Sequence, residues 1–600
     1  MTGAMHIPLC RRLGPGRHVL GMLLAVLSLL CTVFAANAAN PSEELFVTAG
    51  ETGHYGGHLV VSLRSEPKTL NPVTSIDVSS REVIAQMTAD LIHIDRESQQ
   101  TVPALAKSWK VSRDGLRYTL QLRRGIRFSD GVEFDADDVI FSFKVYLDEK
   151  SNSPQRDLLT VGGKPIQVRK DGPYGVTFEL SQAYASAERL FDSVAILPRH
   201  LLEKSFQEGK LGQAWTLSTP PEQIAGLGPF RLKQYVAGQR MVLERNPYYW
   251  KSDHRGNRLP YLTEVTFLFV PNEDAEVLRF EAGETDVVNR MGAENYAVLA
   301  GEQGDHGFHL HDLGPSLEYN FLVFNLNAQT PAPAKDLRQK QSWFRDVKFR
   351  QAISAAIDRE AMTRIVYHGM GTPLWTHVTP ANRLWLDTKV AHPARSIEHA
   401  WDLLRAAGFS RRADGTLIDR TSTPVEFTIL TSASNSQRTQ MATMIQQDLK
   451  DIGVRVQVVP LEFRAVLDRV FQTHDYEAAV MGLGTGDVDP NAQMNVWLSS
   501  GDDHLWNLGA AQPATVWEAD IDRLMKQQLS TLKFEQRKRL YDRVQEIEAE
   551  NLPLICLVSP NLLVGVRAHV GNFKPVVLDP HTLWNSDELF LIEDQRAAKP

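Results

Sequence analysis

Two carboxylates, Asp487 and Asp489, close a glycine-rich run, Met481-Gly-Leu-Gly-Thr-Gly-Asp-Val-Asp-Pro490. They follow the strand-like segment 476–481, and carboxylates so placed cap a turn by accepting from backbone N–H groups. Gly482, Gly484 and Gly486 lack the lysine of a phosphate loop and the spacing of a dinucleotide fingerprint, so the run is not a nucleotide loop. His306, His309 and His311 form a second cluster, with Asp305 and Asp312 beside them. A metal needs three or four converging ligands. An exposed strand accounts for these histidines, so neither metal nor cofactor is expected. Nucleophilic catalysis needs a nucleophile beside a base, and the chain has no G-x-S-x-G and no H-E-x-x-H. Asp130, Arg123 and Arg350 read as residues that fix turns and packing. No catalytic residue is assigned and the chain is not expected to be an enzyme.

These residues need a scaffold, and the bulk composition supplies one. The 600 residues are 43% hydrophobic and 23% charged, enough for more than one core. The net charge of −8 offers no basic face for nucleic acid. At the N-terminus Arg11, Arg12 and Arg17 precede the uncharged apolar stretch 19–33, and Ala36-Asn37-Ala38 follows as a cleavage site. The apolar run is about fifteen residues, short of the ~20 that span a bilayer. The segment therefore reads as a cleavable signal peptide. Leu30 precedes Cys31 where a lipoprotein signal needs a small residue, which argues against lipid anchoring. Cleavage takes the net charge from −8 to −11 and leaves Cys556 as the one cysteine. A lone cysteine makes no internal disulfide, and in the run 552–558 it reads as a small buried hydrophobe.

Strand and helix signals interleave along the chain. Strands are expected at 59–63, 118–122, 178–180 and 265–270, and helices at 80–92 and 275–281. Further on, 319–326 is β-rich, and 346–365 carries Ala352, Ile353, Ala356 and Ile357 at helical spacing. The β-branched runs 425–430 and 454–459 flank a helix at 436–450, a βαβ unit that implies a parallel or mixed sheet. The helix 534–551 places Leu540, Val544 and Ile547 on one stripe and stops before Pro553. The class is α/β.

Three stretches carry a family likeness. The first is Val102–Ser142, with L-A-x-S-W closing a helix, Asp114-Gly115 and Asp130-Gly131 as turn pairs, and Asp135 capping a helix that opens Ala136-Asp-Asp138. The second is Gly228–Trp250, a hairpin ending R-N-P-x-Y-W. The third is Phe344–Glu360, FRDVKFRQAISAAIDRE. Segments 400–415 and 539–555 fit as well. Together they resemble the bacterial extracellular solute-binding proteins of the oligopeptide, dipeptide and nickel type (family 5). The resemblance implies a two-lobed type II periplasmic-binding-protein fold with mixed sheets flanked by helices, a hinged cleft and an extra subdomain in the first lobe. Its implied boundaries are 1–38 signal peptide, 39–92 lobe I, 93–225 extra subdomain, 226–315 lobe I continued, 316–557 lobe II and 558–600 the return to lobe I. The chain would cross between lobes near 314–319 and 558–561.

The resemblance also implies a function and a site. The function is capture of di- or oligopeptides in the periplasm and delivery to the permease subunits of an ABC importer in the inner membrane, by a monomer. In peptide-binding members a carboxylate of the acidic loop meets the peptide's ammonium end, and Asp487 or Asp489 is expected to do so here. Gly484 stands where the family has tryptophan, and the spacing to Pro490 is one residue short. Gly484 and Thr485, with Tyr319 and Asn320 at the entry to lobe II, are expected to offer backbone to an extended peptide. Trp497 and Trp506 follow the acidic loop and either line side-chain pockets or pack in the core. The altered loop motivates an alternative ligand, a nickel chelate or an oligosaccharide. A secreted hydrolase would need an arranged nucleophile and base, and only scattered Asp, Glu and His residues speak for it.

Overall fold

The computed structural model describes residues 1, 43–192, 194–301, 307–327, 335–510 and 512–592. The expected signal peptide beyond Met1, and Asp305 and His306 of the histidine cluster, lie outside these residues. The strands used below are, in chain order, β1 (His58–Leu63), β2 (Ala106–Val111), β3 (Arg117–Leu122), β4 (Gln167–Lys170) and β5 (Gly175–Glu179). Next come β6 (Phe230–Val236), β7 (Arg240–Arg245), β8 (Glu264–Phe269), β9 (Val287–Val288) and β10 (Phe308–Pro315). The later strands are β11 (Tyr319–Phe324), β12 (Glu426–Ser432), β13 (Arg455–Leu461), β14 (Ala478–Leu483), β15 (Leu554–Cys556) and β16 (Val558–Arg567). The helices used below are α1 (Val78–Met87), α2 (Ala136–Leu147), α3 (Ala187–Leu190), α4 (Val347–Ala356), α5 (Ser436–Lys450), α6 (Val516–Ser530) and α7 (Phe534–Asn551).

Two mixed sheets organise the molecule, as an α/β class requires. The first runs β6-β7-β8-β1-β9-β16-β10, with β8 and β9 parallel to β1. The second runs β13-β12-β14-β11-β15. Its parallel pair β12–β13 is joined through α5, which buries Met441, Ala442, Ile445 and Leu449 at helical spacing. A smaller antiparallel sheet, β2-β3-β5-β4, belongs to the segment inserted between β1 and β6. Its core is continuous with that of the first sheet, through Leu59, Val61, Phe143, Phe178 and Phe267. The second sheet has its own core around Phe321, Phe324, Phe344, Ile353, Ile445 and Val544.

The chain passes from the first sheet to the second through Ser316–Glu318, and returns through Leu557. The two passages run side by side. Ser316 donates its backbone N–H to Pro560 O (2.9 Å), and Ser559 Oγ donates to Ser316 O (3.1 Å). Paired connections of this kind are where a two-lobed protein bends.

Local chemistry explains most element ends. Asp135 caps α2 by accepting from Asp137 N (2.7 Å), and Asp138 accepts from Asp135 N (3.1 Å), a capping box. Three expectations change. Residues 105–109 do not close a helix: Ala106–Val111 alternates in burial and pairs with β3. Helix α1 ends at Met87, and Ile92–Ile94 instead pairs with Thr101–Pro103. The segment 346–365 is two helices, because Asp358 caps a new one by accepting from Ala361 N (2.8 Å). Arg350 is buried and donates to Asn551 O and Leu552 O at the C-terminal end of α7, where a cation suits the helix dipole.

Candidate functional site

The acidic loop follows β14, and its two aspartates have different fates. Asp489 is 5% exposed. It accepts from Arg537 Nη1 and Nη2 at 2.6 Å each, and caps the short helix Pro490–Gln493 through Asn491 N (3.0 Å). Arg537 is held in turn by Gln528 Oε1 (2.8 Å) and lies over the Trp385 ring at 4.9 Å. A buried carboxylate met by a two-pronged guanidinium is an anchor. Both of its oxygens are taken by Arg537, so the structure places Asp489 in packing within the second half.

Asp487 does stand at the gap between the two sheets' domains, but it is occupied. Arg189 of α3, in the inserted segment, donates through Nε to Asp487 Oδ2 (2.7 Å) and through Nη2 to Oδ1. Val488 N (2.7 Å) and Asp489 N (3.4 Å) also approach Oδ1. Three donors thus converge on Oδ1 and one on Oδ2. A guanidinium of the same chain sits where a ligand's ammonium was expected. Arg189 Nη1 is fixed to its own half by Gln99 O (3.0 Å). Around this pair the inserted segment touches the second half again: Gln99 Nε2 donates to Ala381 O (3.0 Å), Ala185 N to Leu529 O (2.8 Å), and Asn491 Nδ2 to Ser186 Oγ.

The other expected residues divide. Gly484 is exposed beyond the end of the β14 ladder, and a side chain there would meet nothing closer than Glu318 Cα at 4.0 Å. Thr485 Oγ1 donates to Asp487 O (2.6 Å), shaping the turn. Tyr319 and Asn320 do not offer free backbone to a peptide, because they lie in register with Leu483 and Gly482 of β14, and Asn320 O accepts from Leu557 N (2.8 Å). Their side chains face inward. Tyr319 Oη donates to Gln493 Oε1 (3.1 Å), and Asn320 Nδ2 to Val558 O (3.2 Å). Trp497 and Trp506 take the core position that the sequence left open. Both are enclosed in the second core, 5.5 Å apart between ring centres, and Trp506 Nε1 donates to Glu518 Oε1 (3.0 Å). They stiffen the wall behind the loop instead of lining a pocket.

Sequence reasoning missed the partners. Arg438, in the first turn of α5, donates to Asn320 Oδ1 (2.9 Å) and to half-exposed Glu318 (2.9 Å), a charged edge beside Gly482 and Gly484. Beside Asp487 and Thr485 a crevice lined also by Leu317, Thr379 and Asn382 encloses about 10 Å³, room for about one water.

Titratable groups cluster nearby on the inserted segment's side. His93 Nδ1 lies 3.0 Å from Asp90 Oδ2 and 3.1 Å from Asp192 Oδ1. Burial opposes its charge, yet those carboxylates lift it to about 9. The three donor atoms fall within 4.8 Å of one another, close enough for a metal. Both carboxylates instead aim at one ring nitrogen and Arg96 holds Asp192 (3.2 Å), which fits an imidazolium ion network. His377 contacts Glu548 Oε2 (2.6 Å) and Tyr541 Oη (2.7 Å), a relay by residue type. The relay lies within the core, with His377 at 1% and Glu548 at 0% side-chain exposure, and His377 and Tyr541 back the small crevice beside Asp487. Cys556 is buried, and its thiol is pushed well above its ordinary range by desolvation. His309 is exposed, and His311 packs on Phe573.

Comparison with known proteins places this geometry. Residues 100–504 match the family model described as bacterial extracellular solute-binding proteins, family 5 Middle. A probable ABC transporter-binding protein of Deinococcus radiodurans is 27% identical over 559 residues, covering 90% of this chain and 92% of that protein. The oligopeptide-binding protein AppA of Bacillus subtilis is 26% identical over 564 residues, covering 92% and 95%. The crystal structure of AppA with a nonapeptide superposes with a TM-score of 0.66 at 25% identity, covering 90% of this chain and all of that one. The fold is that of the type II periplasmic binding proteins.

Proposed function

Because the chain belongs to family 5 of the bacterial extracellular solute-binding proteins, we propose that it is the exported ligand-capturing component of an ABC importer, and that its ligand is a peptide. The halves close over the ligand, and the closed pair presents a joined surface to the membrane permease. The observation that carries this reading is the full-length likeness to an oligopeptide-binding relative, AppA, whose structure holds a nonapeptide. The chain's own geometry supports it. Among the described residues two large cores lie on either side of the adjacent passages 316–318 and Leu557, and bending there would open and shut the gap between them.

A ligand drives closure only through its preference for the closed state, and moving from mostly open to mostly closed takes roughly 5 kcal/mol of differential affinity. The protein does this as a binder without turnover. Export follows from the N-terminal segment, and among the described residues no helix is long and apolar enough to cross a membrane. We place it in the periplasm as a monomer, working with inner-membrane permease subunits.

The test is to purify the mature protein from a native-like host and identify what leaves it on denaturation by mass spectrometry. The expected result is a set of peptides that calorimetry then shows to rebind. Saturation by a sugar or a metal chelate, with no heat from any peptide pool, would replace the peptide by that ligand. Cleavage of added peptides would overturn the pure-binding account.

A further inference from the structure

Arg189 and Asp487 belong to different halves and are fixed before they meet. Arg189 is 12% exposed in its side chain and tied to Gln99 O on its own side. Asp487 is set by the Thr485 hydroxyl and by the N–H groups of Val488 and Asp489, while Asp489 itself is locked to Arg537. The two side chains therefore meet in fork geometry with little freedom left to lose. The flanking contacts Gln99–Ala381, Ala185–Leu529 and Ser186–Asn491 surround the pair, so the guanidinium sits within a docked interface and not on a loose surface.

From this, and resting on the capture reading above, we infer that Arg189 and Asp487 form a clasp that closes the protein in place of a ligand's charged amino end, and that the ligand is read without a free ammonium group at Asp487. Occupancy carries this. Both carboxylate oxygens already meet the fixed Arg189 guanidinium, and Oδ1 also meets the N–H groups of Val488 and Asp489. A ligand ammonium that displaced Arg189 would leave a nearly buried guanidinium without its counter-ion, still held by Gln99 O. The clasp is made only when the halves meet, so it favours the closed form whether or not ligand is present. Recognition then falls to the backbone and side chains along the rest of the gap, including the exposed Gly484 edge beside Arg438 and Glu318.

The experiment has two arms. Spin labels at Lys164→Cys and Glu398→Cys, both exposed and on opposite halves, report the separation by double electron–electron resonance. The native Cys556 is buried and stays unlabelled. In ligand-free protein, Arg189→Gln and Asp487→Asn are each expected to lower the ratio of closed to open molecules up to about 5-fold, and the double variant no further. Unchanged distance distributions in both variants would overturn the clasp. The second arm compares, by calorimetry, one peptide pool with free amino ends and the same pool N-acetylated. The wild type is expected to bind both within about threefold. A loss of tenfold or more on acetylation, abolished in Asp487→Asn, would show the carboxylate reading the ammonium and overturn the inference. If neither pool binds, the peptide reading fails, and the spin-label distances alone decide the clasp.

Discussion

Asp487 and Asp489 are two residues apart in one loop, yet the structure assigns them opposite energetic roles, and substitution separates them. In Asp489→Ala the Arg537 guanidinium, 4% exposed, loses both 2.6 Å contacts and keeps only Gln528 and Asn491 as neutral acceptors. Breaking a buried pair by removing one partner costs about 3–5 kcal/mol, chiefly because the surviving charge stays buried. If the second half (316–557, roughly 240 residues) unfolds as a unit, its unfolding entropy is about 0.5 kcal/mol/K, so a loss of ~4 kcal/mol lowers its Tm by about 8 °C. Asp487→Asn removes a pair whose carboxylate is 29% exposed and which joins the inserted segment to the second half. Its cost is about 1 kcal/mol or less, since solvent screens the partly open pair. Calorimetric scans and urea titrations of both variants, with fluorescence reporting the second half, measure the difference. Equal losses from the two substitutions, or a loss below ~1 kcal/mol in Asp489→Ala, would refute the division into anchor and clasp.

Three further outcomes follow from charge and packing. Glu82 is pushed up to about 7 by desolvation and by the nearby Asp579 and Glu276 carboxylates, against Arg290; the unfolded chain ionises first, so stability falls as pH rises from about 4.5 to 7, and Glu82→Gln removes that slope in urea titrations at pH 5 and 8 while matching the wild type at pH 5. His93, lifted to about 9 by Asp90 and Asp192, gives stability that is whole below pH ~6.5 and lost as pH rises through ~9. His93→Gln should therefore be less stable than the wild type at pH 6 and equal to it near pH 10, and a gap that persists at pH 10 would assign the loss to packing. A methyl group on Gly501 would collide with the backbone carbonyl of Asn495, so Gly501→Ala should lower the Tm of the second half and shift Trp506 fluorescence, whereas Gly486→Ala, which meets open space, should do neither.

How much of this was legible in the sequence depends on the range of the interaction. Local signals carried well: the Asp135 capping box, the β12–α5–β13 unit and the stop of α7 before Pro553 all depend on neighbours within a few residues. The stretch Ala106–Val111 misled because its strand character comes from pairing with β3, not from its own composition. Trp497 and Trp506 stayed open between pocket and core for a related reason. Proximity in sequence to an acidic loop says nothing about which face of the second sheet the chain follows next, and here it turns into the core.

The acidic loop marks the limit. Asp487 and Asp489 share one local signature, a carboxylate in a turn before proline, and each receives an arginine. What distinguishes them is where the arginine comes from. Arg537 lies 48 residues on, in a helix packed on the same core, so its pair with Asp489 is made as that half folds. Arg189 lies 298 residues back, on the other half, so its pair with Asp487 depends on how two folded bodies sit. Folding fixes the first bond and closure fixes the second. A residue's part in binding is therefore read from its partner's place in the fold, which the loop's own sequence does not contain.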